Sequence, residues 1–180
     1  LTNILMENFS ELAKVRRSMR KFTEEKITHE EQRQLMRTAL MSPSSKGLHS
    51  YEFIIVEDSH KLEALSKSKD KGAEFLANAP MAVVVLASPS VSDVWIEDAS
   101  VAATTLLYQA EDMGLGACWI QIRLRSFPDG TSAEEIVRSI LNIPDDINVL
   151  SIIAIGHKAA ELPAHNDEDL KWEKVHVDKF

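Results

Sequence analysis

Apolar residues recur at Phe9, Leu12, Ala13 and Val15, close to helical spacing, which predicts an amphipathic helix over residues 7–16 running into a basic cluster at Arg16. Thr28 followed by Glu31 has the form of a capping box, and Leu35, Met36, Ala39 and Leu40 continue it as the apolar stripe of a second helix, to about Met41. A turn-rich stretch, 42–47, precedes the β-branched and aromatic run 51–56, which reads as a strand. Residues 59–67 read as a short helix, 81–87 as a fully buried strand, and 95–113 as a long helix rich in small residues (Ala99, Ala102, Ala103, Ala110). Residues 117–122 and 149–155 read as further strands, separated by a helix over 132–141 that Pro144 keeps from continuing. After Gly156 the chain turns polar and irregular, and apolar residues around Trp172 mark that tail as one that docks on something. The pattern is α+β, with about four strands and no internal repeat.

A chain of 180 residues suits one core, so a single domain over 1–180 is expected. The net charge of −8 argues against nucleic acid as the main partner, because binding a phosphate backbone needs a dominant basic surface. The apolar runs 81–87 and 149–155 are far shorter than the roughly 20 residues that span a bilayer, so no membrane helix is expected. Leu1 to Met6 lack the basic flank and long apolar region of a signal peptide. The lone Cys118 cannot form an internal disulfide, and a reducing, cytoplasmic setting fits. The six histidines contain no pair at the helical i, i+4 spacing of metal ligands, so no metal site is expected.

Two segments could carry chemistry. In Arg16-Arg17-Ser18-Met19-Arg20, an extended backbone puts Arg16, Ser18 and Arg20 on one side and Met19 on the other, which suits a phosphate; the plainer reading is a solvated basic link between acidic helices. In Pro43-Ser44-Ser45-Lys46-Gly47, hydroxyls, a lysine and turn amides could address the polar edge of a planar heterocycle, or form an ordinary polar turn. Gly114-x-Gly116 follows a predicted helix and opens a strand, the reverse of a dinucleotide-binding fingerprint.

The two motifs in this order, with the Gly114-Leu115-Gly116 segment entering a strand, resemble the nitroreductase family of flavoproteins. The resemblance implies a mostly antiparallel sheet flanked by helices, and an interlocked homodimer with FMN at its interface and the tail 157–180 packed on the partner. It implies that Arg16, Ser18 and Arg20, with Arg17 adjoining, contact FMN chiefly at its phosphate and ribityl chain. Pro43, Ser44, Ser45 and Lys46 would line the ring; beyond Lys46 this loop departs from the family, with Gly47, His49, Ser50 and Tyr51 where Asn, Gln, Pro and Trp are common. A backbone N–H at Ile120 or Gln121 would approach the reactive flavin nitrogen, and Gly156 and Lys158 would lie near the cofactor. The Ala-rich helix 95–113 is a candidate dimer-core element, although packing within the chain would explain its small residues too. The implied activity is transfer of electrons from NADH or NADPH to a small acceptor, such as a nitroaromatic or quinone, by alternating occupancy of one flavin site, with no catalytic side chain required. A non-catalytic FMN carrier or interaction module, a dehalogenase-like flavoprotein, and a structural dimer without flavin are the alternatives.

Overall fold

In the computed structural model, residues 8–180 are described, and the elements arrive in the expected order. The readings of Leu1 to Met6 and of residue 7 as a helix start lie outside the described residues. Helix α1 (Phe9–Val15) is capped by the Asn8 side chain, which accepts from the Ser10 N–H at 2.8 Å. Helix α2 (His29–Leu40) has the capping box complete: the Thr28 hydroxyl accepts from the Glu31 N–H at 3.2 Å, and the Glu31 carboxylate accepts from the Thr28 N–H at 2.7 Å.

Strands β1 (Tyr51–Val56), β2 (Met81–Ala87), β3 (Leu115–Gln121) and β4 (Asn148–His157) form one sheet in the order β1-β2-β4-β3, every neighbouring pair antiparallel. Helices α3 (Ser59–Ser66), α4 (Trp95–Asp112) and α5 (Ala133–Leu141) cover it. Strand β3 starts two residues before the expected Ala117, because Gly114 at φ +77° reverses the chain directly after α4. Helix α5 is ended by Asn142, left-handed at φ +54°, before Pro144 can act. A short 3-10 turn over Glu74–Asn78 had no signal in the hydrophobic pattern.

Strands β2 and β4 lie in the middle of the sheet, which is why both read as uninterrupted apolar runs: each face is buried. Val83, Val85, Ile153 and Ile155 pack against Leu35 of α2 and Ala99, Ala103 and Leu106 of α4. Ala82, Val84, Ile152 and Ala154 pack with Leu62 and Leu65 of α3 and Val137 of α5. Of the two readings of the small-residue helix, packing within the chain accounts for its alanines. Ala99, Ala102, Ala103 and Ala110 are all 0 % exposed within a single chain, so the alanine face lets α4 approach its own sheet and is not available to a partner. The open face of α4 is the other one, where Val101, Thr104, Thr105 and Tyr108 line a shallow apolar groove with Phe9.

Beyond β4 the chain is tied to α1 through a His165 N–H bond to the Lys14 carbonyl at 2.8 Å and a bond from the Arg17 guanidinium to the Pro163 carbonyl. Further on, Trp172, Val175, Val177 and Phe180 are all exposed. Among the described residues no helix is long and apolar enough to cross a membrane, and no cluster of His, Cys, Asp and Glu could hold a metal ion.

Candidate functional site

The segment after α1 is extended from Arg16 onward and adds itself to the sheet. Ser18 bridges Ala117 in parallel, and the Met19 N–H donates to the Ala117 carbonyl at 3.0 Å. The segment then crosses to the end of β4, where the Thr23 N–H donates to the His157 carbonyl at 2.9 Å and the Ala159 N–H to the Lys21 carbonyl at 3.1 Å. What lets it cross is a pair of glycines facing one another in the β3–β4 register, Gly116 and Gly156. A Cβ on Gly116 would stand 2.5 Å from Met19 Cγ, and one on Gly156 would stand 2.7 Å from Pro80 Cδ and 2.9 Å from Phe22 Cδ1.

With Met19 buried over Gly116, the flanking side chains alternate as expected. Arg17 and Met19 line one cavity, which leaves Arg16, Ser18 and Arg20 on the opposite side of the extended backbone; burial pushes the Cys118 thiol up from its ordinary pKa, and Arg20, Ser18 and Arg16 all oppose the rise. The Arg16 guanidinium lies 5.9 Å from the centroid of the Tyr108 ring and that of Arg20 lies 5.8 Å from the Phe75 ring. Among the described residues neither arginine is in an ion pair. Arg17 turns the other way. With Met19, Lys158 and Glu111 it lines a separate cavity of about 270 Å³, and Lys158 is ion-paired there with Glu111.

Strand β3 has β4 on one side only. The Ile122 N–H donates to the Leu150 carbonyl of the β4 strand at 3.3 Å, so Ile120, two residues earlier, also points its N–H into the sheet. Gln121 faces the free edge, as Ala117 does: its carbonyl accepts from Lys69 Nζ at 3.3 Å, and its N–H points the same way. Just beyond, Leu124 is held at φ +59° and 77 % exposed, and its N–H meets no acceptor among the described residues. A non-glycine residue in that conformation is strained, and a strained turn with a free donor at the end of an edge strand is a usual place for a binding contact.

The loop 43–47 is organised by a carboxylate that no sequence motif flagged. Asp98, buried in the first turn of α4, accepts from the Ser45 N–H at 2.7 Å and from the Ser92 hydroxyl at 2.9 Å. The Ser44 hydroxyl accepts from the His49 N–H at 2.9 Å, and His49 Nδ1 lies 2.7 Å from the Tyr51 hydroxyl, which donates to the Ser42 carbonyl at 2.6 Å. Burial, and then the charge of Asp98, raise the Tyr51 pKa above its ordinary value, so the phenol keeps its proton and its donor role. Lys46, Gly47 and His49 all have positive φ, which exposes the Lys46 side chain at the loop tip.

The sequence model of the nitroreductase family matches residues 13–69 and 63–157, which span the arginine segment, the serine loop and the whole sheet. The chain belongs to the nitroreductase family. A solved structure described as an FMN-dependent nitroreductase from Clostridium difficile R20291 is 44 % identical, superposes with a TM-score of 0.91, and the match covers 94 % of this chain and 98 % of that one. A protein of Archaeoglobus fulgidus provisionally named as an NADH dehydrogenase/NAD(P)H nitroreductase is 28 % identical over 97 % of this chain and 100 % of its own length. A Bacillus subtilis protein named FMN reductase (NADPH) is 28 % identical over 86 % of this chain and 67 % of its own.

On this nitroreductase fold the twelve candidate contact residues fall into separate places. Arg16, Ser18 and Arg20 form one row, whereas Arg17 and Lys158 face a different cavity. Gly156 is buried under Pro80 and Phe22, so its missing side chain serves packing. Ile120 is buried with its N–H turned into the sheet, which leaves Gln121 as the edge donor of that pair and adds Leu124. Pro43, Ser44, Ser45 and Lys46 gather at the N-terminal end of α4, while Arg16 sits over Tyr108, ten residues further along; at 1.5 Å per residue the two motifs stand ~15 Å apart along the helix.

Proposed function

We propose that this nitroreductase-family chain is an FMN-dependent oxidoreductase that takes electrons from NADH or NADPH and passes them to a small oxidised acceptor at the same site. The observation that carries the reading is the row Arg16, Ser18, Arg20: two guanidinium groups and a hydroxyl on one side of an edge segment, with no carboxylate partner among the described residues. The chain carries 28 acidic residues, so cations left unpaired in such a row suit an anion from outside it. FMN fits this donor set: Arg16, Ser18 and Arg20 would hold its phosphate, and the free N–H groups of Gln121 and Leu124 would serve its polar ring edge. When bound it supplies the hydride acceptance and donation, for which the protein provides no substitute.

The chain's own residues then have positioning work. Arg16 and Arg20 hold a dianion, and Gln121 and Leu124 present backbone donors where negative charge would develop. Asp98 keeps the serine loop in place through Ser45. The ~15 Å between that loop and the arginine row within one chain suits a site assembled from two copies, the loop of one meeting the row of the other. The open face of α4 and the exposed apolar tail are the surfaces such a homodimer would cover. A Val101→Glu substitution in the α4 groove is expected to lower the molecular mass in solution toward that of one chain, measured by light scattering; an unchanged mass would move the contact elsewhere.

The deciding test is a visible spectrum after FMN addition and removal of excess, followed by steady NAD(P)H consumption with a nitroaromatic or quinone. Retained flavin with many turnovers per flavin supports the enzyme, one reduction per flavin points to a carrier, and no retained flavin removes the reading.

A further inference from the structure

Where β3 ends, three cations are set around one turn: Lys69, whose ammonium reaches the Gln121 carbonyl at 3.3 Å, and Arg123 and Arg125, which flank Leu124 in the chain. The Arg123 guanidinium lies 5.8 Å from the centroid of the buried Trp95 ring, at the start of α4. The backbone around Arg125 is fixed by its N–H bond to the Ile122 carbonyl and by the Ala133 N–H bond to its own carbonyl, both 3.0 Å. The Arg123 guanidinium and the Arg125 backbone are thus held by contacts that neutralise neither charge.

Among the described residues none of the three is in an ion pair. Burial first, and then the charge of Arg125, lower the Lys69 pKa; Glu74 opposes this, but its carboxylate is already engaged by the Gly72 N–H at 2.8 Å. Holding like charges together costs free energy unless an anion relieves it. Leu124, in the middle of the group, adds a left-handed turn and a free N–H. The group is made of residues other than those of the Arg16–Arg20 row and adjoins the Gln121 and Leu124 donors.

We infer that Lys69, Arg123 and Arg125 form a specificity subsite that binds the phosphate or carboxylate of the reactant standing beside the flavin, selecting anionic reactants over neutral ones. The inference rests on the proposed flavin function for its kinetic consequence, while the anion binding itself does not. Without cofactor chemistry, the subsite still predicts binding of inorganic pyrophosphate, and Trp95 beneath Arg123 is a built-in fluorescent reporter.

The experiment compares tryptophan fluorescence during a pyrophosphate titration in the parent, in Arg123→Gln/Arg125→Gln, and in Arg16→Ala/Arg20→Ala. A response that survives in the second variant and is lost in the first supports the subsite, whether or not the protein retains FMN. A response lost only in Arg16→Ala/Arg20→Ala, or no response in the parent, overturns it. With flavin loaded, Arg123→Gln/Arg125→Gln is expected to raise KM about tenfold for the anionic reactant, with flavin content and turnover of neutral nitrobenzene unchanged. A rise for NADPH but not for 4-nitrobenzoate assigns the anion to the nicotinamide; the converse assigns it to the acceptor; equal changes for 4-nitrobenzoate and nitrobenzene, or none for any reactant, overturn the inference.

Discussion

Alanine at both Arg16 and Arg20 is expected to weaken FMN binding by two orders of magnitude or more while leaving the fold intact. A charge-assisted hydrogen bond contributes about 1.5–3 kcal/mol, and tenfold in affinity is about 1.4 kcal/mol, so two such bonds at the screened end of that range give ~100-fold. Both side chains reach solvent and neither is paired within the described residues, so their removal leaves no buried charge behind. Quenching of FMN fluorescence on titration with protein measures the loss. Arg17→Ala is the control: its guanidinium faces the cavity shared with Lys158 and bonds the Pro163 carbonyl, so affinity should change little. Equal effects at positions 16/20 and 17, or an affinity for the double variant within threefold of the parent, would return the segment to a solvated link.

The second large effect is expected at Gly116, from a single methyl group. Alanine there would place its Cβ 2.5 Å from Met19 Cγ and 2.8 Å from Met19 Cβ, and the nearer end of a side chain cannot swing aside without its backbone. The segment must lift, and the Met19 N–H bond to Ala117 that aligns Ser18 is the first contact to go. Overpacking of this kind costs about 1–3 kcal/mol, which for a chain of this length lowers Tm by roughly 2–12 °C. Because the arginine row rides on the displaced segment, Gly116→Ala should also weaken FMN binding tenfold or more. Gly156→Ala, which meets the rigid ring of Pro80, should cost at least as much stability. Calorimetry and flavin titration read the two effects separately. A Gly116→Ala protein with parental Tm and affinity would show that the segment is not seated as described.

Local signals carried most of the fold. The capping box at Thr28 and Glu31 involves residues three apart, and the two-sided burial of β2 and β4 shows in their unbroken apolar runs, so both were legible. What was misread or left open depended on partners distant in sequence. The alanines of α4 announce a close approach, but only the packed sheet tells that the approach is to the same chain. Ile120 and Gln121 are adjacent in sequence and opposite in hydrogen-bonding sense, and which of them faces an open edge is set by the placement of β4 on one side of β3. Asp98 lies in an ordinary acidic first turn, and its role appears only when Ser45 arrives from a loop 53 residues away. The arginine row was legible because alternation along an extended segment is itself local, and Lys158 was not, because its Glu111 partner is not local.

The crossing segment also bears on the order in which this protein becomes competent. Arg16 to Thr23 lie far ahead of β3 and β4 in the chain and leave a ribosome before them, yet the carbonyls and glycines that seat them belong to β3 and to the end of β4. Contacts between segments so distant in sequence close late, after the entropy of the intervening loop has been lost. The arginine row is therefore seated late although it precedes its seat in sequence, and a nascent or truncated chain lacking β4 would have helices and the β1–β2 pair but no complete seat for that row.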